Sequence, residues 1–520
     1  MAALISFFGI HAAVALLTWW RSRRRDGGDF FLGRRTLSAP VVAMSLLLTN
    51  LSTEQLVGLN GDGYRHGAVA IAWEVFGAFG LVLFALVFLP RYWAAGVTTI
   101  PEFIEQRCGA PTRRLMTVLM LLSLVGIGLP FVIYSGALAL VGIFDLPERF
   151  GLTHDAALLG CSLTLGVVGG GYALLGGMRG TAVADVAYGI VFAVGAVLIP
   201  VLGLLALGNG DWIAGWSRLL AARPEAFNPF GHAGSPVPAG TLLTGIIVIN
   251  ISAWCANQKH AQRAFAGSSL AEAQRGVLLA ASVKLFAPLV LVLPGMIAWV
   301  YFSGGLPSGD LAYPRLVQAL LPASLAGFFG AVIASAVVTA SSGAIHSATT
   351  LFVVDVLGRP PETGAADAGR LPRRGLWFGL AAVALAVALT PVIARQDLGF
   401  FVLMKRLNAT FTIPVVAVVV AAVLTGWSWS RWTVPVAMAF GSLVYLALGQ
   451  WTNLHWLHAV ALAAAVVVTA LWLRRQNNTR YPRPPTALTT ELNSRRLFAA
   501  AIIVAGLGIY AGLAALARWS

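Results

Sequence analysis

Charge is what this chain has least of. Asp, Glu, Lys and Arg make up 11% of its 520 residues, against roughly 25% in an ordinary soluble domain. Cysteine is nearly absent. Cys108, Cys161 and Cys255 are scattered and odd in number, which excludes a disulfide framework and offers no metal-ligand spacing. Of eight histidines only His455 and His458 share a helix face, and they lack an acidic neighbour, so they read as a polar patch at a membrane edge. No glycine-rich phosphate loop is present, so the chain shows no sign of an ATPase. The longest loops, 208–238, 303–323 and 474–496, are too short for a soluble domain. Residues 1–20 end in Trp19-Trp20 followed by arginines. That is the reverse of a cleaved signal peptide and marks a retained first helix.

What fills the space is apolar. Hydrophobic residues reach 58% and the mean hydropathy is +0.81. Runs of about 20 apolar residues recur along the chain, which predicts an all-α polytopic membrane protein. The short alternating segments of a β-barrel are missing. The reading gives fourteen spans, with both termini on one face. With the N-terminus outside, 24 Lys and Arg fall in inside loops and 7 in outside segments. This orients the termini to the outer, periplasmic face of a cell membrane. The net charge of +15 is thus a topological signal, not a nucleic-acid surface. The expected parts are a first helix and basic loop (1–36), a five-helix repeat (37–207), an outside loop (208–238), a second repeat (239–425) and three peripheral spans (426–520). PEFIEQRCGAPTRR (101–114) and LAEAQRG (270–276) read as short interfacial helices.

Two spans carry polar interruptions at membrane depth. In 37–61 they are Asn50, Ser52, Thr53, Glu54 and Gln55; in 239–262 they are Asn250, Ser252, Asn257 and Gln258. Asn50-Leu51-Ser52 echoes Asn250-Ile251-Ser252, one in each half. Paired interrupted helices point to a transporter site, while single polar residues also serve as hydrogen-bonding glue between helices. Glu74 and Lys284 lie deep inside their runs. A charge at a helix centre costs about 2.5–3.5 kcal/mol on insertion scales, so Lys284 is an ion-pair staple or a ligand contact. Asp185 reads as a cation-attracting or gating carboxylate. The ninth span, 324–353, is rich in hydroxyls that could join the unwound carbonyls in an oxygen shell for a sodium ion.

The segments LGRRTL, NLSTEQLVGLNGDGY, TIPEFIEQR, YALLGGMRGTAVADV, NQKHAQRAFAGSSLAEAQRG and HSATTLFVVDV, in this order over about residues 30–425, resemble the sodium:solute symporter family, in its sodium/glucose and sodium/galactose branch. The resemblance implies a LeuT-like core of two inverted five-helix repeats with alternating access. It implies solute contacts at Gln55, Glu74, Asn250 and Lys284. The family's serine contact falls on Gly77, its eleventh-span glutamine on Lys405, and its inner tyrosine gate on Ala253, with Trp73 and Trp254 nearby. Its sodium ligands fall on the carbonyls of Leu48, Leu51 and Ala336, the Thr339 hydroxyl and Ala340, which has no hydroxyl; Ser341 is one residue away. Asp185 matches an acidic residue near the ion exit. The expectation is sodium-driven symport of a sugar or similar polyhydroxylated solute across the lipid bilayer, with no organic cofactor, nucleic acid or protein partner. The same fold importing an organic acid or osmolyte, or coupled to protons, is the alternative. A membrane enzyme would need a catalytic cluster in one inner loop and a sensor would need an appended signalling domain, and neither is found.

Overall fold

The computed structural model describes residues 2–23, 30–322, 325–358, 371–395, 400–477 and 491–519. All fourteen expected spans fall on helix. The one sheet among the described residues is a two-residue pairing of Trp427–Ser428 with Gln476–Asn477. Among the described residues nine helices are individually long and apolar enough to cross a membrane, and one bent pair makes a tenth. The second and seventh spans are divided by breaks, and the fifth and sixth run as one helix. The helix Ala326–Leu351 is the buried axis, and with its extension to Val356 its most apolar window is 94% buried. That of Ser494–Arg518 is 22% buried and marks the periphery.

The second span breaks where its sequence turns polar. Ala39–Asn50 ends at Leu51, whose ψ of 69° leaves the helical range. Ser52 is extended and the helix restarts as Thr53–His66. Serine competes for backbone hydrogen bonds and favours such positions. The seventh span repeats the device. Gly245–Cys255 stops at Ala256, and Asn257 caps Gln258–Phe265 by accepting a hydrogen bond from the Lys259 N–H at 2.9 Å.

A third break escaped the sequence reading. Leu270–Lys284 and Pro288–Tyr301 meet at a 49° bend. Pro288 supplies no N–H and disfavours helical geometry before it. Asn60 braces the far side of this bend: its Oδ1 accepts from Gly295 N–H at 2.9 Å. The predicted interfacial helix 270–276 is corrected by the same element. Those residues are the first turns of Leu270–Lys284, capped by Ser269 through the Glu272 N–H. The other expected interfacial helix is present as Ile100–Cys108, opened by a reciprocal Thr99–Glu102 capping box.

The fifth and sixth spans form one hydrogen-bonded run, His154–Leu207, with a single non-helical residue, Gly177 (φ 54°, ψ −162°). Straight, 54 residues would extend about 81 Å at 1.5 Å per residue, far beyond a hydrocarbon core of about 30 Å. Gly177 therefore turns the chain between two spans. A Cβ there would lie 3.2 Å from the Phe30 carbonyl oxygen, and the backbone conformation is one that essentially only glycine adopts. Gly177→Ala is expected to lose about 1–3 kcal/mol, read as a lowered thermal midpoint of the detergent-solubilised protein. An unchanged midpoint would contradict the turn.

Candidate functional site

The breaks bring distant residues to one place. Lys284 Nζ lies 2.6 Å from Glu74 Oε2 and donates to Asn50 Oδ1 at 2.7 Å. Gln55 Nε2 reaches Glu74 Oε1 at 3.4 Å. Asn250 closes the group: a Cβ on Gly77 would lie 2.4 Å from Lys284 Cε and 3.4 Å from Asn250 Oδ1. Gln55, Glu74, Asn250 and Lys284 are thus gathered as expected. Gly77 now has a physical reason, because any side chain there would meet the Lys284 stem. Gly80, one turn on, lets the Ala72–Leu83 helix approach the Asn250 backbone and Trp254.

The quartet is folded on itself and does not line the adjacent cavity. That cavity is bounded by Asn50, Glu54, Ser252, Ala253, Lys259 and Lys405, among others. Asn50 belongs to both, bonded to Lys284 and facing the opening. The sequence names it only among the polar interruptions of the second span, since a membrane asparagine also serves as hydrogen-bonding glue between helices. Part of the wall is a π-helical stretch, Leu122–Gly128, where Ser123 donates to Asn408 Oδ1 at 2.6 Å. Such wide turns recur at functional sites.

The aromatic neighbours sit elsewhere. Trp254 is buried beneath Lys284, whose Nζ lies 5.3 Å from its ring centroid, and its ring packs on His260. Trp73 stacks on Trp456 and meets Phe401 edge-on. Neither ring lines the cavity, so neither takes the place of the tyrosine gate that Ala253 lacks. Lys405 does line it, with Nζ 4.9 Å from the Phe401 ring centroid. Gln258 takes a packing role: Oε1 accepts from Ile100 N–H at 2.9 Å and Nε2 donates to the Thr98 carbonyl at 3.1 Å.

Of the proposed ion ligands, Thr339 and Leu48 meet across two elements. Thr339 Oγ1 lies 3.2 Å from the Leu48 carbonyl oxygen, 3.2 Å from that of Ala336 and 2.9 Å from that of Ser335. Leu51 sits at the break itself, where Ser52 keeps a buried hydroxyl without a hydrogen-bonding partner. Ala340 is fully buried. Ser341 turns away: its Oγ donates to the Val338 carbonyl at 3.3 Å and faces Gly169 on the fifth span. Asp185 hydrogen-bonds Ser45 and lies 3.8 Å from the Arg263 guanidinium, a partner that the sequence reading left unassigned. Arg263 also donates to Thr181 Oγ1 at 3.0 Å.

Helices broken at matching positions in two halves, around a buried polar cluster beside a cavity, define a membrane transporter with a LeuT-like inverted-repeat core. The chain belongs to the sodium:solute symporter family, whose model matches residues 30–444. It is 38% identical to an uncharacterized symporter, YidK, of Escherichia coli (strain K12), over 98% of this chain and 91% of that one. It is 30% identical to a sodium/glucose cotransporter of Vibrio parahaemolyticus, over 75% of each chain. Among solved structures, a substrate-bound, outward-open Na+-coupled sialic acid symporter superposes with a TM-score of 0.77 at 17% identity. It covers 92% of this chain and 99% of that chain. The nucleobase-cation-symport-1 family transporter Mhp1 superposes with a TM-score of 0.57 at 11% identity, over 91% and 99%. These are transporters, and the chain is a multi-pass membrane transporter, not an enzyme.

The Lys284–Glu74 pair is 1% and 0% exposed, so each charge depends on the other. Lys284→Met alone strands a buried carboxylate and is expected to cost about 3–5 kcal/mol. The double variant Glu74→Gln/Lys284→Met removes both charges and is expected to recover most of that loss. Thermal unfolding of the three proteins decides. Equal losses in the single and double variants would contradict a paired site.

Proposed function

We propose that this protein is a sodium-coupled symporter for a sugar or similar polyhydroxylated solute, working by alternating access. The observation that carries the reading is the convergence of Gln55, Glu74, Asn250 and Lys284 from four separate spans at the broken helices. Their chemistry suits hydroxyls. Glu74 accepts, Lys284 donates, and the two amides do both. A hydroxylated solute can replace the contacts these residues now make with one another, so the buried charges keep partners as it enters. Relatives named for glucose and for myo-inositol transport support a polyol.

Sodium binds, in this reading, where the carbonyls of Leu48 and Ala336 approach the Thr339 hydroxyl, with the Leu51 carbonyl, at the break, as a further ligand. The break frees carbonyls from the helical ladder, and oxygen ligands suit a small hard cation. Ala340 removes one hydroxyl from the family's set, and the unpartnered Ser52 hydroxyl stands at the same break. Ion binding would stabilise one arrangement of the second span against the ninth. A ligand shifts only a balance between states that it binds differently. Asp185, held by Ser45 and Arg263, lies on the inner side and guides the ion out. The five-part division of the chain and the outer placement of both termini complete the proposal.

Tracer uptake into proteoliposomes tests it. An inward sodium gradient is expected to drive accumulation, and Thr339→Val is expected to raise the sodium concentration for half-maximal uptake about tenfold, equivalent to ~1.4 kcal/mol. Uptake driven as well by a pH gradient without sodium would overturn the sodium assignment. Thr339→Val leaving the sodium dependence unaltered would overturn the site.

A further inference from the structure

The cavity beside the quartet has a charge pattern that a neutral sugar does not use. Lys259, at the start of Gln258–Phe265, and Lys405, in Phe400–Leu424, both line it. Among the described residues no carboxylate lies within ion-pair distance of either ammonium. The charges that bear on Lys405 are Glu54, Lys284 and Glu74; those on Lys259 are Glu54, Lys405 and Arg263. Most of these are already matched. Glu74 is bound by Lys284, and Arg263 faces Asp185. That leaves Glu54 as the one carboxylate facing two lysines, and the cavity holds one positive charge in excess.

The same cavity presents acceptors with nothing to accept. Glu54, 8% exposed, has an Oε2 without a hydrogen-bonding partner. His260, 3% exposed, uses Nδ1 against the Ala253 carbonyl at 2.6 Å, and its Nε2 has no partner. A ring that donates from Nδ1 leaves Nε2 as an acceptor. Buried acceptors without donors are rare and call for a ligand or water. The wall thus pairs ammonium groups, which suit an anion, with acceptors, which suit hydroxyls.

We propose that the solute is a polyhydroxylated monoanion, a sugar acid or acidic sugar ester, with its anionic group held by Lys405 and Lys259. Its hydroxyls first face Glu54, His260 and Asn50 in the cavity, and Asn50, bonded to Lys284, joins them to the quartet that the solute engages on entering deeper. This rests on the solute-symport reading above and deepens it. Lys405 replaces a glutamine of the resembling branch. An amide there serves a neutral sugar, whereas an ammonium unpaired with any carboxylate makes a neutral sugar the poorer fit.

The test is competition in proteoliposomes under an inward sodium gradient. Labelled galacturonate and labelled galactose are the tracers. Unlabelled glucuronate, gluconate, galactose 6-sulfate, galactose 6-phosphate, galactose and acetate are the competitors. Galacturonate is expected to be taken up with at least tenfold higher kcat/KM than galactose. The sulfate ester against the carboxylates separates the two anionic groups, and acetate shows whether charge alone suffices. Lys405→Gln is expected to bring the galacturonate-to-galactose ratio down at least tenfold, while Lys405→Arg keeps it. That pair of variants separates anion binding from a folding defect. Sodium-driven galactose uptake that none of the sugar anions inhibits at hundredfold excess overturns this inference and leaves the symport reading standing. No sodium-driven uptake of either tracer overturns both.

Discussion

One contact organises the centre of this molecule: the Lys284 ammonium against the Glu74 carboxylate, 2.6 Å apart. Each charge is costly at membrane depth, and each comes from a different half of the chain. Their pairing, joined by Asn50, fixes how closely the third and eighth spans approach. Gly77 and Gly80 follow from it, because the Lys284 stem and Trp254 occupy the space where side chains would stand. The bend after Lys284 follows too, since it brings the lysine to the end of a helix segment that faces the break in the second span.

That arrangement links the two halves of the proposed site. Asn50 bonds Lys284 and is followed at once by Leu51, where helical geometry fails. Two residues before Asn50, the Leu48 carbonyl meets the Thr339 hydroxyl. A solute that disturbs the Lys284–Asn50 bond therefore acts on the backbone that offers oxygens to an ion. In the proposed scheme coupling needs no long pathway, because both proposed sites share the residues 48–55. The cavity opens beside this junction and carries Lys405 and Lys259, which sets the proposed anion contacts close to the proposed ion site.

The sequence made the scaffold legible because membrane spans are written in composition. Fourteen apolar runs became helix, and both polar interruptions became breaks, since backbone freed from a helix at that depth needs polar neighbours. The resemblance pointed to Gln55, Glu74, Asn250 and Lys284, and the fold brings these four together. What stayed hidden depended on three-dimensional neighbours. The bend at Pro288 was overlooked since proline is tolerated in membrane helices. Asn50 read as one of several polar interruptions and Arg263 as an inside-loop charge; their partners, Lys284 and Asp185, are visible only in the fold. Ser341 looked like a substitute ligand by its position in the sequence, but one residue is about 100° around a helix, and it faces Gly169. Trp254 adjoins the gate position in sequence and Trp73 adjoins Glu74, and both are turned to other walls.

The central claim is that ion and solute bind at two sites joined by one broken helix. Linkage makes that claim quantitative, since sodium must change solute affinity by the same factor as solute changes sodium affinity. Titration calorimetry of the purified protein gives both: the solute titrated with and without sodium, and sodium titrated with and without solute. The account predicts a tighter Kd for each in the presence of the other, by matching factors of roughly 5–150. Solute affinity that is the same with and without sodium would contradict it.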